Sequence, residues 1–134
     1  MSNEIIRNEE NVNGLKMYSS FEGETQEDRL RVYAAVSDAM PLDDHIGDTL
    51  MVSDVVYQQV PVVDDDGEEQ IRTRIVLVTP EGQAYATISK GVETSMNNLF
   101  AIVGQPTWEP PIPLKPVKKQ GRNGYKFTSL VPVL

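Results

Sequence analysis

A cluster of basic residues at positions 115–130, KPVKKQGRNGYKFTSL, is the strongest chemical signal in the sequence. It holds five cations and no acidic residue. The Asn123-Gly124 pair is a favoured two-residue turn between antiparallel strands, so the stretch predicts a basic hairpin. Lysine and arginine side chains on such a hairpin can neutralise the phosphates of a nucleic acid. The cations are Lys115, Lys118, Lys119, Arg122 and Lys126, and Tyr125 precedes the last of them.

The hairpin stands out because the chain as a whole is acidic, with a formal net charge of -8. Residues 1–69 hold four basic and 17 acidic residues, whereas residues 70–134 hold eight basic and three acidic ones. Charges act locally, over a screening length of roughly 10 Å, so a positive face can bind a polyanion on a negative molecule. The alternative is that the acidic and basic halves pair with each other, and charge alone leaves both interpretations open.

A second set of candidates comes from three stretches in which apolar residues alternate with other types. The alternation predicts strands over residues 50–62, 71–79 and 84–88, separated by an acidic turn at 64–70 and a turn at 80–82. If the apolar faces are buried, aromatic rings and guanidinium groups emerge together on one outer surface. Such groups stack on bases and pair with phosphates, as a nonspecific single-stranded nucleic-acid site requires. The predicted outward residues are Tyr57, Arg72, Arg74, Tyr85 and Thr87.

Two helices are predicted from capping signals. Thr25 followed by Asp28 resembles a capping box and predicts a helix over residues 26–39. Ser89 can cap a second helix, which begins near Lys90 and ends before Gly104. The expected apolar stripes are Leu30, Tyr33, Ala34 and Val36 in the first helix, and Val92, Met96, Leu99 and Val103 in the second.

The order of elements predicts a mainly β fold. Residues 105–116 contain five prolines and Trp108, which we expect to pack in the core, and they lead into a fourth strand near Val117 and a fifth over residues 125–133. Five strands with a helix between the third and fourth form the layout of an OB-fold barrel, here with an additional N-terminal helix. We expect a flexible N-terminal arm over residues 1–24 and one OB-fold domain over residues 25–134.

The stretch GQAYATISKGVETSMNNLFAIVG, residues 82–104, is followed after a spacer by a basic strand, a glycine-containing turn and Tyr125-Lys126-Phe127. This pattern resembles the single-stranded DNA-binding proteins of tailed bacteriophages that infect Gram-positive bacteria, including the small phages that replicate by protein priming. The resemblance implies a protein that coats and protects single-stranded DNA during phage DNA replication or recombination, in the cytoplasm of the bacterial host. It also implies stacking of bases on Tyr85 and Tyr57. The acidic turn departs from this pattern, since it would repel DNA at one end of the groove.

Other chemistry is not expected. The chain has no cysteine and one histidine, which leaves no thiolate site and no zinc triad, and it lacks phosphate-cradling and nucleophile-elbow motifs. The acidic turn lacks the spacing of an EF-hand loop, and we expect His45, beside Asp43, Asp44 and Asp48, in a solvated loop. We therefore expect no enzyme, no cofactor and no metal, and the absence of long apolar runs predicts no membrane partner.

The candidate DNA-binding residues are completed by Lys90, at the start of the second helix. The expected partner is single-stranded DNA, with replication or recombination proteins as a second class of partner. The choice between monomer and homodimer stays open. The alternative function is an acidic OB-like adaptor that binds a basic protein partner or mimics DNA.

Overall fold

A computed structural model describes residues 10–12, 15–21 and 25–134. The strands and helices follow one another in the order β1 (Glu10–Val12), β2 (Leu15–Ser19), α1 (Gln26–Ser37), β3 (Met40–Pro41), β4 (Leu50–Val52), β5 (Asp54–Val63), β6 (Glu69–Val78), β7 (Ala84–Thr87), α2 (Lys90–Ile102), β8 (Ile112–Gln120) and β9 (Lys126–Pro132). Short 3-10 helices lie at Leu42–His45 and Arg122–Gly124. None of the described helices is long and apolar enough to cross a membrane.

The strands form two sheets, and residues 50–63 contribute one strand to each of them. One sheet has the order β1-β2-β5-β6-β7-β3 and the other the order β4-β8-β9. The predicted first strand is therefore two strands, divided at Ser53, whose backbone N–H donates to the Val78 carbonyl and whose carbonyl accepts from the Trp108 N–H. This division lets β4 pair with β8 while β5 pairs with β6.

The predictions of a mainly β fold and of both helices are confirmed. Within the described residues no strand ladder joins β7 to β9, so the two sheets do not close into a barrel. The five-stranded OB-fold barrel is not confirmed in that form. The strand and helix order that suggested it is nevertheless present, with α2 between β7 and β8.

Part of the predicted arm is ordered as strand. β2 pairs antiparallel with β5, with Tyr18 opposite Tyr57, and β1 pairs with β2. Residues 1–9, 13–14 and 22–24 of the arm lie outside the described residues. The division of the chain into an arm over 1–24 and a domain over 25–134 stays a prediction.

The first helix begins as predicted but buries a different side. Thr25 and Asp28 form the capping box. Leu30 and Tyr33 of the predicted stripe are 57% and 68% exposed. Only Val36 of that stripe packs on the sheet, where it joins Val32 and Ala35 against the cluster of Val56, Val76 and Val78. Helix α1 therefore covers the face of β6 that the sequence predicted to be open, but in β5 and β7 it covers the sides of Val56 and Ala84, which were predicted to be buried.

The second helix follows its predicted pattern except at Val103, which comes directly after the helix and is 53% exposed. The Val92 N–H donates to the Ser89 hydroxyl at 3.3 Å, and Gly104 has φ of 104° after the helix end. Val92 and Met96 are buried in the main core between the two sheets, together with Val55, Ile75, Leu77 and Leu114. Trp108 lies in the same core, as predicted, and its indole N–H donates to the Gly104 carbonyl at 3.1 Å.

Candidate nucleic-acid interface

A groove of about 600 Å³ lies between the first turns of α2, the β8–β9 hairpin and the Arg72 side of β6. Its lining includes four cations, and the described residues that line it include no carboxylate. We call this surface the basic groove, and its cations are Arg72, Lys90, Lys118 and Lys126. Five of the twelve predicted site residues line it, these four and Tyr125.

Hydrogen bonds fix the helix α2 beside strand β9. The Ser89 hydroxyl donates to the Thr128 carbonyl at 3.0 Å, and the Leu130 N–H donates to the Ser95 hydroxyl at 3.2 Å. The first turn of α2 is thereby held at the wall of the basic groove. Because free N–H groups and the positive end of the helix dipole lie at a helix N-terminus, this turn adds to the attraction for anions.

The tip of the hairpin presents an aromatic ring next to a cation. Asn123 and Gly124 both have positive φ, 63° and 74°, and the Tyr125 N–H donates to the Arg122 carbonyl across them. The predicted Asn-Gly turn is therefore present. It leaves Tyr125 70% exposed, directly before Lys126.

The two arginines of β6 have different environments. One guanidinium nitrogen of Arg72 donates to the Ile88 carbonyl at 3.0 Å, which holds this side chain at the groove. Arg74 donates to the Val36 carbonyl at 3.2 Å and to the Gln58 side chain at 2.8 Å. Desolvation lowers the pKa of Arg74. Arg74 thus fastens the end of α1 to the sheet, and it does not line the basic groove.

Tyr85 does not point outward as predicted. It is 5% exposed in the main core, where its ring contacts that of His45 edge to face at 4.8 Å. Its hydroxyl donates to the Gln83 side chain at 3.2 Å. Thr87 is half-buried, and its hydroxyl accepts from the Ser89 N–H at 3.1 Å. The outward orientation of Tyr85 is therefore wrong, because both faces of β7 are covered and the tyrosine belongs to the inner one.

Tyr57 also turns toward the interior, opposite to the prediction. Its ring stacks against Phe100 of α2 at 5.9 Å and meets the ring of Tyr18 edge to face at 5.8 Å. The buried Tyr57 hydroxyl has no hydrogen-bond partner in the described part of the chain. Burial raises the pKa of Tyr57, and the neighbouring Tyr18 and Glu93 raise it further.

A cavity of about 270 Å³ opens beside these rings. We call it the aromatic cavity; its walls include Tyr18, Tyr57 and Phe100, and its polar lining includes Gln59, Glu93 and Asn97. This cavity was not predicted from the sequence. The available signal was Phe100 one turn after Met96 on the buried side of α2, but nothing local indicated that β2 would bring Tyr18 to the same place.

The other predicted cations lie outside the groove lining. Lys115 and Lys119 are an odd number of residues from Lys118 along β8. Because successive side chains of a strand point to opposite faces, these two lysines project from the other side of the strand. Arg122 lies in the turn, and its side chain is exposed. The structure thus brings only part of the predicted basic residues together in the groove. Of the hairpin cations outside it, Arg122 lies in the turn, and Lys115 and Lys119 lie on the other side of the hairpin.

The acidic turn has its own internal order. The Asp64 carboxylate accepts hydrogen bonds from the N–H groups of Asp66 and Glu68, at 3.0 and 2.9 Å. These backbone donors, and the Gln70 side chain, lower the pKa of Asp64. Among the described residues, no group of three or more histidine, aspartate or glutamate side chains could hold a metal ion.

Comparison with known proteins identifies a family that matches most of the chain. A family model described as phage single-stranded DNA-binding protein matches residues 11–131 of the chain. No curated protein and no solved structure matches the chain.

Proposed function

Since the chain belongs to the family of phage single-stranded DNA-binding proteins, we propose that it coats and protects single-stranded DNA during phage DNA replication or recombination. Binding is without strong sequence preference and without catalysis. The protein acts in the cytoplasm of the bacterial host, where exposed single strands arise. The observation that carries this proposal is the basic groove.

The groove suits a phosphodiester backbone. Arg72, Lys90, Lys118 and Lys126 come from three separate parts of the fold and converge on one concave surface of about 600 Å³. Phosphates are the part of a nucleic acid that every sequence shares, and cations that neutralise them supply most nonspecific affinity. A groove of this composition therefore favours binding to any single strand.

Tyr125 supplies a contact for a base beside the phosphate-binding cations. Its ring is exposed at the hairpin tip, and every base offers a face on which such a ring can stack. A base in duplex DNA is already stacked on its neighbours within the helix. Tyr125 therefore favours single strands over duplexes.

The aromatic cavity is a second place for a base. Arg72 and Thr73 are neighbours on β6, and one lines the groove while the other lines the cavity. Thr94 and Glu93 of α2 are divided in the same way. A strand that leaves the groove across α2 would thus reach the cavity, where Tyr57 and Phe100 offer aromatic surface. Tyr57 remains a candidate base contact for this reason, although it does not face outward.

Fluorescence anisotropy with labelled DNA tests the proposal. The probes are oligo(dT), a mixed-sequence single strand and a duplex, all of equal length, each at several salt concentrations. We expect similar affinity for the two single strands, weaker affinity for the duplex, and weaker binding at high salt. Equal or tighter binding to the duplex would overturn the proposal. A folded protein that binds none of the probes would favour the acidic adaptor instead.

A further inference from the structure

One cation of the basic groove already has an anionic partner within the chain. The ammonium of Lys118 lies 3.3 Å from one carboxylate oxygen of Asp43. The other carboxylate oxygen accepts a hydrogen bond of 2.8 Å from the Thr128 hydroxyl. Lys118 also donates to that hydroxyl at 2.7 Å. The Asp43 carboxylate is thus bound through both oxygens, by a cation and a hydroxyl.

This arrangement matches the way in which a phosphate is bound. Two non-bridging oxygens of a phosphodiester accept hydrogen bonds from cationic and hydroxyl donors, as the two Asp43 oxygens do here. Lys118 and Thr128 both line the basic groove, whereas Asp43 reaches them from the 3-10 helix at Leu42–His45. We propose that Lys118 and Thr128 form a phosphodiester-binding subsite, and that Asp43 occupies it until DNA displaces the carboxylate. This inference rests on the proposed function, since it assigns a further part of the same groove.

The surroundings of Asp43 permit this exchange. Leu42, the preceding residue, is fully buried, and the Gly47 N–H donates to the Pro116 carbonyl at 2.8 Å, so the backbone of this segment is anchored to the core and to β8. The Asp43 side chain itself is 57% exposed and that of Lys118 is 45% exposed. The carboxylate can therefore rotate into solvent while the segment that carries it stays in place.

Asp43 should consequently reduce the affinity of the groove for DNA. A bound phosphate must replace an ion pair that is already formed, and an exposed pair of this kind is weak enough to be replaced. Removing the carboxylate charge frees Lys118. We expect Asp43→Asn to tighten binding of oligo(dT) by about two- to five-fold at low salt, the range that corresponds to an exposed ion pair. The gain should shrink as salt screens the charges.

The test compares five proteins by anisotropy with labelled oligo(dT): wild type, Asp43→Asn, Asp44→Asn, Lys118→Met and the double variant Asp43→Asn with Lys118→Met. Asp44→Asn is the matched control, because it removes one negative charge from the same 3-10 helix at an exposed position. We expect a clear gain from Asp43→Asn, a smaller one from Asp44→Asn, and no gain from Asp43→Asn when Lys118 is absent. Asparagine retains an oxygen that accepts from Thr128, so the fold should tolerate it.

A second measurement needs no variant. The methyl resonance of Thr128 in the wild-type protein should shift on titration with oligo(dT), because its hydroxyl changes partner. A resonance that is unmoved at saturation overturns this subsite. The subsite is also overturned if the wild-type protein binds oligo(dT) but Asp43→Asn does not bind it more tightly. The same holds if Asp44→Asn tightens binding as much as Asp43→Asn, or if Asp43→Asn still tightens binding when Lys118 is replaced. A wild-type protein that does not bind oligo(dT) overturns the proposed function, and the subsite with it.

Discussion

Gly91 of α2 lies directly against the backbone of Thr128 in β9. A Cβ atom at Gly91 would come within 2.2 Å of the Thr128 carbonyl oxygen and within 2.7 Å of the Phe127 ring. A Cβ atom does not come that close to an atom to which it is not bonded, so only glycine permits this approach. Because the two elements form adjoining walls of the basic groove, the glycine helps to set the shape of the groove.

Gly91→Ala should therefore destabilise the protein. The added methyl group forces α2 away from β9, and overpacking of this kind costs about 1–3 kcal/mol. In an unhindered helix the same change would stabilise by roughly 0.5–1 kcal/mol, so the sign of the effect is diagnostic. Urea denaturation measures it. Gly121→Ala is the control, since its φ is -94° and the nearest atom to its Cβ is 3.4 Å away. A more stable Gly91→Ala protein would contradict the packing described here.

Local signals in the sequence predicted the local structure well. The caps at Thr25 and Ser89, the glycine at 104 and the Asn123-Gly124 turn all act within a few residues of themselves, and each is found where it was predicted. The basic hairpin was predicted for the same reason. Its cations are close in sequence, and antiparallel pairing of β8 with β9 keeps them close in space.

The faces of the strands could not be predicted in the same way. Alternation separates the two faces of a strand, but it identifies the inner face only when the other is in water. Here Val55 packs in the main core and Val56 packs under α1, so β5 buries both faces. The orientations of Tyr57 and Tyr85 were reversed as a result.

Contacts between residues far apart in the sequence could not be predicted either. Asp43 is 75 residues from Lys118 and 85 from Thr128, and nothing in the spacing of these residues indicates that they meet. Their contact depends on how the segment before β4 packs on the hairpin.

Tyr85→Ala should act on stability because the ring is in the core. Truncating a large buried ring leaves a cavity and costs about 3–5 kcal/mol, which thermal unfolding would detect. Tyr85→Leu fills more of the space without providing a ring for stacking. We expect folded Tyr85→Leu protein to bind oligo(dT) as wild type does. Loss of that binding in a variant with unchanged stability would restore Tyr85 as a stacking residue.

Burial of the Tyr57 hydroxyl should make the protein less stable as the pH becomes alkaline. Burial raises its pKa above the ordinary value of 10.0, so the neutral phenol is favoured in the folded protein. The stabilisation is complete below that value and is lost as pH rises toward the folded pKa, because the unfolded chain ionises first. Urea denaturation between about pH 9 and 11 tests this, with Tyr57→Phe as the control. The wild-type protein should lose stability more steeply than Tyr57→Phe, and identical slopes would show that the hydroxyl is not shielded from water.

Tyr125 and Lys126 should contribute to DNA binding in different ways, although they are neighbours. Tyr125→Ala removes stacking, worth about 1–3 kcal/mol per base, and should weaken oligo(dT) binding equally at every salt concentration. Lys126→Met removes a phosphate contact and should flatten the slope of log affinity against log salt by about 0.7. Arg31→Gln, on α1, is the control for loss of one positive charge outside the groove. Circular dichroism first establishes that each variant is folded. A Tyr125→Ala variant that flattens the slope, or a Lys126→Met variant that behaves like Arg31→Gln, would refute this assignment of stacking and phosphate contacts.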